Sequence, residues 1–202
     1  MKSRQETQDH NPFTQAVGIL RSGGIAVLPT DTVYGIVASA LIPKAVERVF
    51  ELRKRDRDKA VIVLIPDETA LEQFSIRIDK RGQHFLRSVW PGKVSVVLTT
   101  ADPISWIHLH RGTNGIAFRL PADPALKEFL QHTGPLIAPS ANIAGEPVAT
   151  TITTAKEYFG NLVDIYIDGG TRESAPSTLI RWIDGKIEIL RQGAVQIDIP
   201  ST

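Results

Sequence analysis

The chain contains no cysteine, which excludes disulfides and thiol chemistry and removes the soft ligands most zinc sites use. Long hydrophobic runs are missing as well. No apolar stretch approaches the roughly 20 residues a membrane span requires. Met1 to His10 is polar and lacks the apolar centre of a secretory leader. Net charge is nearly absent too: the formal value of +1 says little about partners, because local imbalance can hide inside it. The common phosphate-binding fingerprints are not found. There is no glycine-rich loop closing on Gly-Lys-Ser/Thr and no GxGxxG after a strand. Gly23-Gly24 stands before an apolar run, so it reads as a helix terminator. Internal repeats, low-complexity segments and long linkers are likewise lacking. These absences leave a soluble, cytoplasmic chain of 202 residues, long enough to bury one core. Any nucleotide would have to be held by side-chain cations and by hydroxyl or backbone donors.

What is present is organised around Pro29-Thr30-Asp31-Thr32-Val33-Tyr34-Gly35, directly after the apolar run Ile25 to Leu28. Four apolar residues entering Pro, Thr, Asp and Gly predict a buried strand that empties into a shaped loop. Pro29 has no N–H, so regular pairing is expected to stop there. Small ligands bind at such strand ends in α/β folds. The alternative is a capped turn in which Asp31 or Thr32 bonds nearby backbone. Before the heptad, Asn11-Pro12 opens a helix carrying Phe13, Ala16, Val17 and Leu20 on one side. After it, Val46, Val49 and Phe50 mark a second helix. That helix runs into Arg53 to Lys59, where five basic and two acidic residues give a local charge of +3.

Ala60 to Ile65 reads as a continuous buried strand, Asp67 to Phe74 as a short helix, and Ile76 to Trp90 as a longer one. Pro91-Gly92 stops that helix, and Lys93 to Leu98 returns as a strand. Trp106 to His110 alternates, which would set His108 and His110 on one face if extended; without a third ligand nearby they read as surface histidines. Strands follow at Gly115 to Leu120 and Pro135 to Ala138, the second delivering Pro139-Ser140-Ala141-Asn142. The strand Val163 to Ile167, a hydroxyl-led strand from Pro176 and a hairpin at Asp184-Gly185 complete the pattern. Seven or eight strands and four or five helices, alternating early and ending in a hairpin, predict a single-domain α/β fold on a mixed sheet.

These motifs resemble the YrdC/Sua5 family of threonylcarbamoyl-AMP synthases. The heptad matches the family's opening motif. Arg53, Arg55 and Lys59 align with its Lys-x-Arg motif and later lysine. Trp90-Pro91-Gly92, Arg119-Leu120-Pro121, Pro139 to Asn142 with Gly145, Ser177-Thr178 and Arg191-Gln192-Gly193 follow in family order. The resemblance spans Phe13 to Val195 and looks like the short form, without the extra C-terminal domain. It implies a twisted mixed parallel/antiparallel sheet flanked by helices, with a concave basic face. It divides the chain into a flexible arm at 1–10, a YrdC-like catalytic domain at 11–197 and a polar tail at 198–202.

The activity implied is formation of L-threonylcarbamoyladenylate and pyrophosphate from L-threonine, bicarbonate or CO2 and ATP, for the t6A modification of tRNA. By position, Thr32, Arg119 and Ser177 match threonine-contacting residues. Arg55, Lys59, Ser140, Asn142 and Arg191 match those around ATP. Thr30, Asp31, Tyr34, Arg53 and Thr178 are supporting candidates. No covalent intermediate is needed, and no residue is assigned a catalytic proton transfer. Magnesium is expected as an ion held mainly by phosphates and water, with Asp31 either holding such a water or fixing backbone. Contacts with tRNA and with later enzymes of the t6A route are further expected partners. Three positions depart from the family pattern: Arg53 for Lys, Asp56 for Pro, and Leu64 where some relatives place a threonine-contacting His. These are expected to bear on substrate affinity. The rival readings are an RNA-binding module gripping a duplex with its basic face, and carbamoyl transfer to another substrate.

Overall fold

The computed structural model of the chain describes residues 12–54, 61–183 and 185–197. Its helices are α1 (Pro12–Arg21), α2 (Pro43–Leu52), α3 (Lys80–Val89), α4 (Ile107–His110), α5 (Pro124–Thr133) and α6 (Ile152–Phe159). Its strands are β1 (Ile25–Pro29), β2 (Tyr34–Ser39), β3 (Ile62–Leu64), β4 (Val94–Thr99), β5 (Gly115–Arg119), β6 (Leu136–Ile137), β7 (Ile165–Tyr166), β8 (Thr178–Ile183) and β9 (Lys186–Arg191). Short 3₁₀ turns occupy Glu68–Phe74 and Gly160–Leu162. The expected arm at 1–10 and tail at 198–202 lie outside the described residues.

All nine strands join one sheet in the order β7-β1-β2-β6-β3-β5-β4-β8-β9. The pairs β1–β7, β3–β5 and β4–β8 are parallel and the others antiparallel, so the expected mixed sheet is present. Its two faces are covered unequally. On one face Val27, Ile36, Val63, Phe118, Val96 and Ile180 share a single core with residues of α2, α3 and α6. On the other, α1 and α5 bring Ala16, Leu20, Phe129 and Leu130 against Ala26, Leu28, Val37 and Leu64. That second cover stops at β3. The register carries the same face onward from Ile62 to Ala117, Val97 and Arg181, and these residues line an open cavity. The site is therefore the uncovered end of one sheet face.

Local chemistry explains most element boundaries. Pro43 and Pro124 occupy first-turn positions of α2 and α5, where a missing N–H is harmless. Asp79, Asp123 and Thr151 cap α3, α5 and α6 by accepting from Gly82, Leu126 and Thr154 N–H groups.

Four expectations are corrected. The heptad is a hairpin: Tyr34 and Gly35 begin β2 instead of a loop, while the ladder ends at Pro29 as expected, with Pro29 opposite Tyr34 as its last pair. The Thr30 N–H bonds the Val33 carbonyl at 3.1 Å, which makes Pro29 and Tyr34 the non-hydrogen-bonded pair. The donor Pro29 lacks would thus point towards β7, which pairs only Ala26 and Val27. The helix expected from Ile76 starts at Lys80, because Asp79 caps it there and Ile76 instead bridges Thr100. The strand expected at 60–65 is confined to Ile62–Leu64, with Ala60 outside the described residues.

The fourth correction concerns the two histidines, which sit on a helical turn and are buried, 7% and 1% exposed. His108 Nε2 lies 3.0 Å from the Ala40 carbonyl oxygen. His110 Nδ1 accepts from the Gly112 and Asn114 N–H groups, so Nε2 carries its proton and donates to the Pro103 carbonyl oxygen. Both are structural. Among the described residues no group of three or more His, Asp or Glu side chains could hold a metal ion, and no helix is long and apolar enough to cross a membrane.

Candidate active site

The cavity, about 340 Å³, is walled by three separate strand ends. Thr30 and Thr32 come from the β1–β2 turn, Ser140 from the segment after β6, and Ser177 from the entry to β8. Arg119 ends β5 and Arg191 ends β9. All six line the cavity, with Arg181 and Thr113 nearer its rim. The floor is small or aliphatic: Gly35, Gly115, Ala117, Val97 and Leu179. Alternation in β5 and β8 produces this composition, since Gly115, Ala117 and Arg119 share one face and Ile116 and Phe118 the other. None of the described lining residues is a carboxylate, whereas three are arginines.

Each polar wall group is held by its neighbours. Thr30 Oγ1 donates to the Val33 carbonyl at 2.7 Å, accepts the Thr32 N–H, and lies 3.1 Å from Thr32 Oγ1. The two hydroxyls are thus oriented by the tight turn between them. Asp31, at the same turn, is not among the residues lining the cavity. Its carboxylate lies 3.0 Å from Arg119 Nη2, with side chains only 7% and 4% exposed. It makes no hydrogen bond to backbone and supplies the buried counter-charge of Arg119. Burial lowers the Arg119 pKa from its usual value, Asp31 opposes that shift, and nearby Arg191 adds to it. Neither Asp31 oxygen nor Arg119 Nε makes a hydrogen bond within the protein. Their pairing is charge contact in poor hydrogen-bond alignment, and the buried Arg119 Nε remains without a partner.

Ser177 is 2% exposed and its Oγ lies 2.9 Å from Ser95 Oγ. Arg191 Nη2 donates to the Ser177 carbonyl at 2.8 Å. Partial burial lowers the Arg191 pKa. Thr178, a supporting candidate, is fully buried and does not line the cavity. Its hydroxyl bonds the Val195 carbonyl and accepts the Gly193 and Val195 N–H groups, which wraps the chain after β9 around the start of β8. A Cβ at Gly193 would collide with the Pro176 carbonyl oxygen and the Ser177 backbone, so this close passage requires glycine.

Asn142 and Arg53 sit behind Ser140. The Asn142 amide donates to the Ile143 and Glu146 carbonyls, and its oxygen accepts from Ser140 Oγ at 2.7 Å and Arg53 Nη2 at 3.1 Å. Arg53 Nε also donates to the Asn142 carbonyl, and Nη2 reaches Ser140 Oγ at 3.3 Å. Asn142 is therefore a brace for Ser140 and does not line the cavity, and Arg53 is a buried brace for both. Tyr34 is also a strut. Its hydroxyl donates to the Gly170 carbonyl and receives the Gly169 N–H. Burial, the largest influence, raises its pKa. Leu64 packs under α1 and α5 in the second core, so it faces no ligand. Arg55 and Lys59 lie outside the described residues; Val61, two positions after Lys59, lines the cavity.

Sequence reasoning missed β2, Ser95, Arg181 and Thr113. Only Ser95 left a usable signal: it alternates with the core residues Val94 and Val96, which places it on the cavity side of β4.

Comparison with known proteins follows from this geometry. A family model covering Sua5, YciO and YrdC proteins, described as "Telomere recombination", matches residues 18–193. A Pyrococcus abyssi protein named threonylcarbamoyl-AMP synthase is 34% identical over 91% of this chain, which spans 54% of that protein's length. A Pseudoalteromonas translucida protein of the same name is 29% identical over 89% of this chain and 97% of its own. The solved structure of P. abyssi Sua5 complexed with L-threonine superposes with a TM-score of 0.82 at 31% identity, covering 90% of this chain and 54% of that one. With Thr30, Thr32, Arg119, Ser140, Ser177 and Arg191 brought together on one bare sheet face, the chain belongs to the Sua5/YciO/YrdC family.

Proposed function

We propose that this protein is an L-threonylcarbamoyladenylate synthase, a nucleotidyltransferase that joins L-threonine, CO2 or bicarbonate, and the adenylyl group of ATP, releasing pyrophosphate. The observation that carries this reading is a cavity lined by hydroxyls and three arginines, the buried Arg119 among them, and by no described carboxylate. Such a site suits an anionic ligand that also offers a hydroxyl or amine. The relatives' names and the threonine-bound Sua5 structure agree with that chemistry.

In this mechanism the Arg119 guanidinium takes the threonine carboxylate, and the Thr32 and Ser177 hydroxyls orient the amino acid. The amine, as the free base, attacks CO2 and loses a proton to form a carbamate. The carbamate oxygen then attacks the α-phosphorus and the bond to pyrophosphate breaks. Arg191, with Arg55 and Lys59, neutralises charge growing on the phosphates, and Ser140 positions the nucleotide. Positioning and charge stabilisation suffice for both steps. The described lining offers no carboxylate to a metal, so magnesium would enter with the triphosphate, held by phosphate oxygens and water. It supplies additional charge neutralisation there.

The product is a mixed anhydride, an activated donor of the threonylcarbamoyl group, and in this reading its acceptor is an adenosine of tRNA. The test is incubation with ATP, magnesium, bicarbonate and labelled threonine, followed by chromatography. A labelled adenylate that disappears when bicarbonate is withheld is expected. Its absence from folded protein would sink the proposal. In the same assay R55A should lower kcat/KM by ~100-fold, through loss of a contact that strengthens in the transition state.

A further inference from the structure

Helix α3 carries charge that the synthase reading does not use. Its sequence, KRGQHFLRSV, contains three permanent cations, one histidine and no carboxylate. Gly82, Phe85, Leu86 and Val89 turn inward, while Lys80, Arg81, His84 and Arg87 are all exposed. At 100° per residue, Lys80, His84 and Arg87 fall in one line along the outer face, and Arg81 flanks them. Arg77, exposed just before the helix, extends the set. No ion pair among the described residues involves any of these cations. The one carboxylate beside them in sequence, Asp79, is occupied in accepting the Gly82 N–H at 2.8 Å.

This arrangement breaks a local rule. Lys80 and Arg81 stand in the first helical turn, where the helix dipole disfavours cations. The Arg81 guanidinium lies beside Gly185, but no ion pair among the described residues offsets that cost, and an external polyanion would relieve it. The face looks away from the cavity, since α3 packs on the sheet side that carries Val96, Phe118 and Ile180.

We propose that the outer face of α3 docks the phosphate backbone of a structured RNA. Two observations favour a phosphate backbone over splayed bases. The nearest aromatics, Phe85 and Trp182, stack on each other with ring centroids 4.9 Å apart and planes within 9°, so neither is free as a base platform. Lys80, Arg81 and Arg87, with Arg77 before the helix, are exposed and no carboxylate is among the residues of α3, which fits phosphate contact. The choice of RNA over other polyanions rests on the tRNA reading above; the charged face does not.

The triple variant K80Q/R81Q/R87Q tests the proposal, with an unmodified tRNA transcript as probe and no ATP present. Wild-type protein should bind with strongly salt-dependent affinity. The variant should lose at least ~10-fold at moderate salt, and its log K against log salt slope should flatten by about 2–3. Its adenylate formation should match wild type, because none of the three residues lines the cavity, and its melting temperature should match or exceed wild type, because the first-turn charge penalty is removed. Unchanged affinity and slope in the folded variant would overturn the proposal. Equally tight binding of poly-glutamate would overturn it by assigning the face to an acidic protein, and equal binding of a DNA duplex of matched charge would overturn the assignment to RNA. Failure of the synthase reading would appear separately, as missing adenylate in both proteins.

Discussion

At the level of single residues, Asp31 and Arg119 define the site. They are 88 positions apart in the chain, and nothing in either neighbourhood announces their pairing. D31N should leave a buried guanidinium without its counter-charge, a change worth about 3–5 kcal/mol when one partner of a buried pair is removed. A threonine carboxylate can replace that charge. Thermal melts of D31N should therefore recover more on adding saturating threonine than wild type does, and equal shifts in both would detach Arg119 from the carboxylate. T32A and S177A each remove a hydroxyl whose contact is worth about 0.5–1.5 kcal/mol. Steady-state kinetics should show the threonine KM rising roughly 3- to 10-fold with the ATP KM little changed. The family motifs made Thr32, Ser140, Ser177, Arg119 and Arg191 legible, because each follows, ends or leads into a strand. They could not separate wall from brace. Asn142, Tyr34 and Thr178 carry the same polar signature, yet each spends its hydrogen-bonding groups inside the protein.

Among the elements, strands with strong apolar alternation were readable and β2 was not. Its sequence YGIVAS mixes glycine and alanine with two β-branched residues, and it is held by burial against β1 and β6 more than by propensity. The turn α4 was misread for a related reason: a four-residue helix is too short to impose a period, and His108 and His110 are buried by tertiary contacts. His108 has a measurable consequence. Burial is the main cause of its lowered pKa, which lies below the ordinary 6.5, with the Ala40 carbonyl opposing. On acidification the unfolded chain therefore binds the proton first. The contribution of His108 to stability is complete above the unfolded pKa and declines as pH falls from there to the lowered folded value. H108Q keeps a donor for Ala40 but cannot titrate. Its melting temperature should fall less steeply than wild type between about pH 7 and pH 5; parallel profiles would show that His108 stays neutral in both states.

For the whole molecule, the decisive property is that α1 and α5 cover only part of their sheet face. An α/β class and a mixed sheet were predictable from the alternation of elements, but the bare end depends on strand order. The order places β5, β4 and β8 beyond the reach of α1 and α5, and no local pattern encodes it. A ligand that fills this gap binds only the folded chain. Threonine or a non-hydrolysable ATP analogue, each added alone at about 100 times its dissociation constant, should add about 2.7 kcal/mol. That corresponds to a rise of roughly 5–10 °C in melting temperature, readable by calorimetry. No shift with either ligand would remove the cavity from consideration as their site.

The contact between Ile25 N–H and the Asp164 carboxylate, 2.7 Å long and spanning 139 positions, also bears on how the protein is made. Arg48 grips the same carboxylate at 2.9 Å, and β7 closes on β1 just beyond it. On a ribosome adding roughly 5–20 residues per second, the β1–β2 hairpin waits on the order of ten seconds before these partners emerge. Through that interval one edge of β1 has no strand beside it. The nascent chain is then most exposed to pairing with a neighbour, so slowed elongation between α2 and β7 should lower the yield of soluble protein more than slowing after β7.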